Sequence, residues 1–266
     1  KAGHTGALDP LATGMLPVCF GEATKFSQFL LDAHKSYSVT ARLGVTTTTS
    51  DADGEVLETR PVEATADQIE RALMAFVGEI EQVPSMYSAL KHQGQPLYKL
   101  ARQGIEIERK RRRVTIFALR ILAIRADELD FEVDCSKGTY VRSLVEDLGA
   151  ALGCGGHVQR LHRISAGDYP SDKMLTLAQL EAISEQGGVE ALDALLRPAA
   201  SAVAALPSVQ LGDDAAFYLL RGQAVQAPGR PDGGQVSLFR ASDGAFLGVG
   251  EVTDEGQIAP RRLVAN

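Results

Sequence analysis
Residues 3–18 read GHTGALDPLATGMLPV. Asp9 precedes Pro10, Gly6 and Gly14 stand on either side, and Ala7, Leu8, Leu11 and Ala12 surround the acid with apolar groups. The pattern has two readings. In the first, Asp9 caps a single helical turn, Pro10 takes its first position and Gly14 ends it. In the second, a carboxylate on a glycine-framed apolar loop is a nucleophile in a dry pocket. Such an anion needs a cation, or its pKa rises and it is neutralised.

Residues 136–143, SKGTYVRS, offer that cation. The spacing predicts a helix opened by Gly138, capped by Thr139 and running to about Leu152, with Val141, Leu144, Val145 and Leu148 along one stripe. Arg142 falls in its first turn, where the helix dipole disfavours a cation, which hints at a tertiary partner. A charge-assisted pair with Asp9 would hold that carboxylate ionised.

Around these two segments the periodicity is mixed. Residues 22–33, 66–80, 97–102 and 176–185 have helical spacing. Residues 36–44, 55–59, 114–125, 128–135 and 157–165 read as strands. From about Ala200, short strands alternate with Gly, Pro and Asp turns, as in a small all-β module, so a domain boundary is expected near 198–206. Tyr37 falls on the apolar face of its strand and Tyr140 stands two residues before Arg142; each reads as a core or rim aromatic or as a binding residue. His4 sits in a glycine-rich stretch, an exposed loop histidine that could also stack on a base. Asp51 and Asp53 flank a turn and are assigned to turn chemistry rather than to a metal.

The chain has 266 residues, 45% hydrophobic and 23% charged, with a net charge of −7. That balance excludes a disordered chain, and no apolar run is long enough to suggest a membrane span. Cys19, Cys135 and Cys154 match neither a disulfide framework nor a zinc cluster, which points to a reducing cytoplasm. No GxGxxG, P-loop or HExxH motif is present. An acidic body argues against a nucleic-acid partner, but the charge is polarised: eight of the 27 Lys and Arg lie between Lys91 and Arg113. Such a basic arm, including Lys91, Arg111 and Arg112, could meet phosphates. The chain starts at Lys1 without a signal-like segment, so the natural N-terminus is expected upstream.

The stretch 3–18 strongly resembles the catalytic motif of the TruB-type tRNA pseudouridine synthases. The resemblance continues through KSYSVTARLG (35–44), SDADG (50–54), VPSMYSALK (83–91), SKGTYVRSLVEDLG (136–149) and RLHRIS (160–165), and ends in DEGQIAPRRLV (254–264). It implies an α+β fold: a mixed-sheet pseudouridine synthase catalytic domain over residues 1–198 and a small β-rich, PUA-like RNA-binding domain over 205–266. It also implies base flipping and isomerisation of the T-loop uridine of tRNA, position 55, with no metal or other cofactor. The implied catalytic set is Asp9, Tyr37 and Arg142. His4, Tyr140, Leu161, Lys91, Arg111 and Arg112 are the implied substrate-binding residues. The implied enzyme is a cytoplasmic monomer that meets the T-arm of tRNA without a membrane or an obligate protein partner.

There are two departures from the family pattern. Its upstream first strand and lysine-proline motif are not in this chain, and Thr48 stands where relatives often place an aspartate. Asp51 remains, so little catalytic consequence is expected. Two other classes fit parts of the sequence: a non-catalytic RNA-binding protein using the basic arm, and a glycosidase-like hydrolase. The latter needs a second carboxylate, and the sequence pattern links none to Asp9.

Overall fold
The computed structural model describes residues 1–169 and 171–264. Three short strands open the chain: β1 (Ala2–His4), β2 (Thr13–Gly14) and β3 (Val18–Phe20). A 3₁₀ turn over Gly21–Phe26 and a short helix, α1 (Ser27–Leu31), follow. The expected helix over 22–33 is therefore broken into two pieces. Next come β4 (Lys35–Leu43), β5 (Val45–Thr47), β6 (Val56–Thr59), α2 (Ala66–Met74) and β7 (Gly78–Gln82).

The helix expected over 66–80 stops at Met74. Thr65 starts it with a reciprocal capping box to Gln68. Gly78, at φ +108°, then turns the chain into a strand, a conformation glycine adopts without a Cβ clash. Ile80, read as part of the helical stripe, instead lies in β7 opposite Val114. Its apolar spacing suits both elements, and only the strand partner decides.

The arm carries β8 (Lys91–His92), β9 (Gln95–Pro96) and α3 (Leu97–Ala101). β10 (Arg112–Arg125), β11 (Glu128–Cys135), α4 (Val141–Ala151) and β12 (Gly156–Ala166) complete the central region. The six-stranded mixed sheet has the order β2-β12-β4-β11-β10-β7, antiparallel except for the parallel β12–β2 pair. Apolar side chains of β4, β10, β11 and β12 form the core with α2 and α4: Val39, Ile116, Phe131, Val133, Leu144, Leu148 and Val158 are at or near zero exposure there. Burying each such side chain stabilises the fold by about 1.5–3 kcal/mol.

Towards the C-terminus, α5 (Leu177–Asp193) outruns the expected 176–185. Thr176 caps it with Gln179, and it kinks at Gly188. Then β13 (Ser208–Leu211), α6 (Asp213–Leu219), β14 (Gly234–Arg240), β15 (Phe246–Val252) and β16 (Ile258–Leu263) follow, and the four strands build a second sheet in that order. Its core holds Val209, Leu211, Leu219, Val236, Leu238 and Ile258. The module is β-rich, but α6 makes it not all-β as expected.

By packing, the chain forms two compact units, each discontinuous in sequence. One contains Gly6–Leu16 and Asp32–Asp172; the other contains Lys1–Thr5, Pro17–Leu31 and the described residues from Lys173 onward. In the second unit, Phe26 is fully buried with its ring 5.2 Å from that of Phe246. Lys25 Nζ also donates to the Leu263 carbonyl at 2.9 Å. No helix of the described residues is long and apolar enough to cross a membrane.

Candidate active site
Asp9 is not a helix cap. The Ala12 N–H donates to the Asp9 carbonyl at 2.9 Å and closes one tight turn over Pro10 and Leu11. The chain then enters β2 rather than a helix. This frees the Asp9 side chain, which keeps about a third of its surface exposed while its partner is buried.

That partner is Arg142, whose side chain is only 4% exposed. Nη2 donates to Asp9 Oδ1 at 2.8 Å and to the Tyr87 carbonyl at 3.0 Å. Nη1 donates to Asp51 Oδ2 and to the Thr49 carbonyl, both at 3.2 Å. One planar fork thus joins the Asp9 loop, the turn at Asp51 and the base of the arm, a geometry arginine offers and lysine does not.

Arg142 lies in the first turn of α4, as read from the sequence, but the cap differs. Tyr140 occupies the N-cap position with no side-chain cap, while Thr139 Oγ1 donates to the Ser136 carbonyl at 2.9 Å. Buried Gln82 does the anchoring. It accepts from the Tyr140 N–H at 3.0 Å and donates to the Tyr140 carbonyl at 3.2 Å.

Asp51 is the residue the sequence reading undervalued. It does serve the turn, accepting from Thr49 Oγ1 at 2.5 Å and from the Asp53 N–H at 3.2 Å. It is also 2% exposed and shares Arg142 with Asp9. A second carboxylate is therefore joined to Asp9 through Arg142, contrary to the sequence pattern, although it is buried and committed to its donors. Burial pushes the Asp9 carboxyl above its ordinary 3.8; Arg142 opposes this, and Asp51 adds to it.

Tyr37 and Leu161 come from neighbouring strands. In the β12–β4 register, Leu161 faces Val39 and Arg163 faces Tyr37, so these four share one face of the sheet. Leu161 is 6% exposed in the core cluster, against which the half-buried Tyr37, Leu11 and Ala12 also pack. Burial pushes both the Tyr37 and Tyr140 phenols up, and the charge on Asp9 adds to each shift. Asp9, Tyr37, Tyr140, Arg142 and Leu161 thus belong to one neighbourhood. Arg163, in the RLHRIS block but not singled out from sequence, belongs to it too. Its signal was the strand alternation that puts it on the face of Leu161.

Arg112 borders this neighbourhood, its charge opposing the rise of the Tyr140 phenol. His4 ends β1, exposed, opposite Val18 in the other packing unit. Lys91 is exposed in the β8–β9 hairpin. Arg111 is 71% exposed, with Glu81 at 3.9 Å. Contrary to expectation, the basic run does not belong wholly to the arm: Arg112 and Arg113 are already in β10, paired with Gln82 and Glu81. Arg109 folds back onto the Pro84 carbonyl at 3.1 Å. The arm proper closes on its own small core of Met86, Leu97 and Leu100.

The chain is matched almost throughout by known families. Residues 1–141 match the N-terminal domain of the TruB family pseudouridylate synthases. Residues 142–204 match the tRNA pseudouridylate synthase B C-terminal domain, and residues 207–264 the C-terminal region of pseudouridine synthase II TruB. The tRNA pseudouridine synthase B of Aeromonas salmonicida is 57% identical over 270 residues, covering 99% of this chain and 85% of the relative. That of Ectopseudomonas mendocina is 57% identical over 264 residues, covering 99% and 86%. Among solved structures, a Cbf5-Nop10-Gar1 complex contains a chain 27% identical, with a TM-score of 0.73, covering 100% of this chain and 75% of that one. An H/ACA RNP bound to a substrate RNA containing 2'-deoxyuridine shares the fold at a TM-score of 0.74 and 24% identity, covering 100% and 77%. With the family matched across more than half its length and relatives above half identity, the chain belongs to the TruB family of pseudouridylate synthases.

Proposed function
We propose that this protein isomerises the T-loop uridine of tRNA, position 55, to pseudouridine, with Asp9 as the reacting carboxylate. The observation that carries the reading is the Asp9–Arg142 pair at 2.8 Å, one member about a third exposed and the other buried. Support for the substrate comes from the relatives' names, which specify tRNA.

A base stacked within an RNA loop must be extruded before its glycosidic bond is accessible. Tyr37 is the platform for the flipped uracil, and stacking there returns about 1–3 kcal/mol against the unstacking cost. His4 fills the space the base leaves. Asp9 acts at the ribose, either by adding to C1′ or by assisting expulsion of uracil. The N1–C1′ bond breaks, uracil turns within the pocket, a C5–C1′ bond forms as Asp9, where it has added, leaves C1′, the proton on C5 passes to water, and the freed N1 takes up a proton in its place. Leu161 and Tyr140 wall the pocket and keep water from the sugar. Arg142 aims Asp9, while Lys91, Arg111 and Arg112 meet phosphates and position the RNA without reading it. Residues 1–198 bear the chemistry and 205–266 form a PUA-like RNA-binding domain. The enzyme works as a cytoplasmic monomer.

The test supplies unmodified tRNA transcript tritiated at C5 of uridine. Wild type is expected to release tritium to water while Asp9→Asn releases none, with tRNA affinity equal for both. Equal release by the variant removes Asp9 from the chemistry. The carboxylate Asp51, two hydrogen bonds away through Arg142, keeps a hydrolase as the second reading. Free uracil in the product would select it.

A further inference from the structure
Arg163 is among the largest fully buried side chains, at 2% exposure. Its guanidinium is spent on the loop that carries Asp9. Nε donates to the Met15 carbonyl at 2.6 Å, Nη2 to the Gly6 carbonyl at 3.0 Å and Nη1 to the Ala7 carbonyl at 3.5 Å. Those carbonyls stand before and after Asp9, so one fork ties both ends of the loop. The backbone joins the same clamp: the Met15 N–H donates to the Arg163 carbonyl at 2.8 Å. Gly14, at φ +99°, lies so close that a Cβ there would sit 2.3 Å from that carbonyl oxygen. On the neighbouring strand Arg163 faces Tyr37 in direct register.

We propose that Arg163 is a positioning residue of the reaction, holding both ends of the Asp9 loop and the Tyr37 ring about one guanidinium and so setting the gap that receives the base and ribose. The inference rests on the reading of Asp9 and Tyr37 given above. A guanidinium can hold several carbonyls in a fixed plane; a lysine ammonium is a point donor on a flexible stem. Displacing a reacting group by about 1 Å can cost about a hundredfold in rate.

Arg163 also has an electrostatic effect that a purely mechanical clamp lacks. The groups acting on Asp9 are Arg142 from α4, Asp51 from its turn and Arg163 from β12. The phenols of Tyr37 and Tyr140 border it. Arg163 lowers the Asp9 pKa, so removing its charge raises that pKa further.

Two variants separate these effects. Arg163→Lys keeps the charge and loses the fork. Its kcat is expected to fall about 10- to 100-fold, with tRNA Kd and the acid limb of the pH–rate profile unmoved. Arg163→Gln loses the charge, and the acid limb is expected to move to higher pH as well. Full kcat in Arg163→Lys overturns the proposal. So does a parallel loss of melting temperature, tRNA affinity and rate in that variant, which assigns Arg163 to the fold alone. Asp9→Asn is assayed alongside: activity there sinks the reading of Asp9, whereas an inactive Asp9→Asn beside a fully active Arg163→Lys sinks only this inference.

Discussion
Desolvation of the Asp9 carboxyl outweighs the attraction of Arg142, which Asp51 shares. Its pKa therefore lies above the ordinary 3.8. The folded protein then keeps a proton on Asp9 in a pH window where the unfolded chain has released it. This group's contribution to stability is complete below 3.8 and is lost as pH rises through the folded value. Asp9→Asn removes that loss, so its melting temperature relative to wild type should climb as pH rises from 3.8 through the raised folded-state value. A difference independent of pH would place the carboxyl back at its ordinary value. At this scale Asp9 and Arg142 were legible in the sequence, because an acid in apolar company and a cation in a first helical turn each call for a partner. Asp51 was not, because a turn aspartate satisfies its local bonds in sequence and meets Arg142 only across 91 residues.

Among the elements, β2 is only two residues long, yet it fixes the Asp9 loop against β12. Gly14→Ala tests how much depends on that approach. The positive φ alone carries a strain of about 1–3 kcal/mol for a residue with a side chain, and the 2.3 Å approach adds to it because backbone must move. Urea unfolding should show a loss of at least that size, together with a lower kcat; wild-type behaviour in both would mean the loop relaxes freely. The strands over 36–44, 128–135 and 157–165 were readable to within a residue or so, because period-two alternation survives in a half-covered sheet. The stretch 75–80 was not: Phe76, Val77 and Ile80 suit a helix stripe as well as a strand edge. Pairing of β7 with β10 decided it.

For the whole molecule, the charge distribution and the discontinuous packing each carry a prediction. Neutralising Arg111 and Arg112 should weaken tRNA binding and reduce the salt slope by about one for each phosphate that is no longer neutralised. An unchanged slope in a filter-binding titration removes them from the interface. Packing makes a cut near residue 205 more damaging than the family boundary suggests. Truncation there strips Phe246 from the buried Phe26 and the Leu263 carbonyl from Lys25. The shortened protein should bind a hydrophobic dye and melt lower than the full chain. An unaltered melt would show that residues 17–31 hold without the second sheet.

The sequence by itself determined the α+β alternation and singled out Asp9 with Arg142 as its partner, because these rest on local patterns of residue type and period, and its motif blocks carried the resemblance to the family. Tertiary structure alone decided that Arg142 is shared with Asp51 and Tyr87, that Arg163 ties down the Asp9 loop, and that residues 17–31 pack with the C-terminal sheet. Each joins groups far apart in the chain, and a hydrogen bond between distant groups leaves no periodicity for either segment to display.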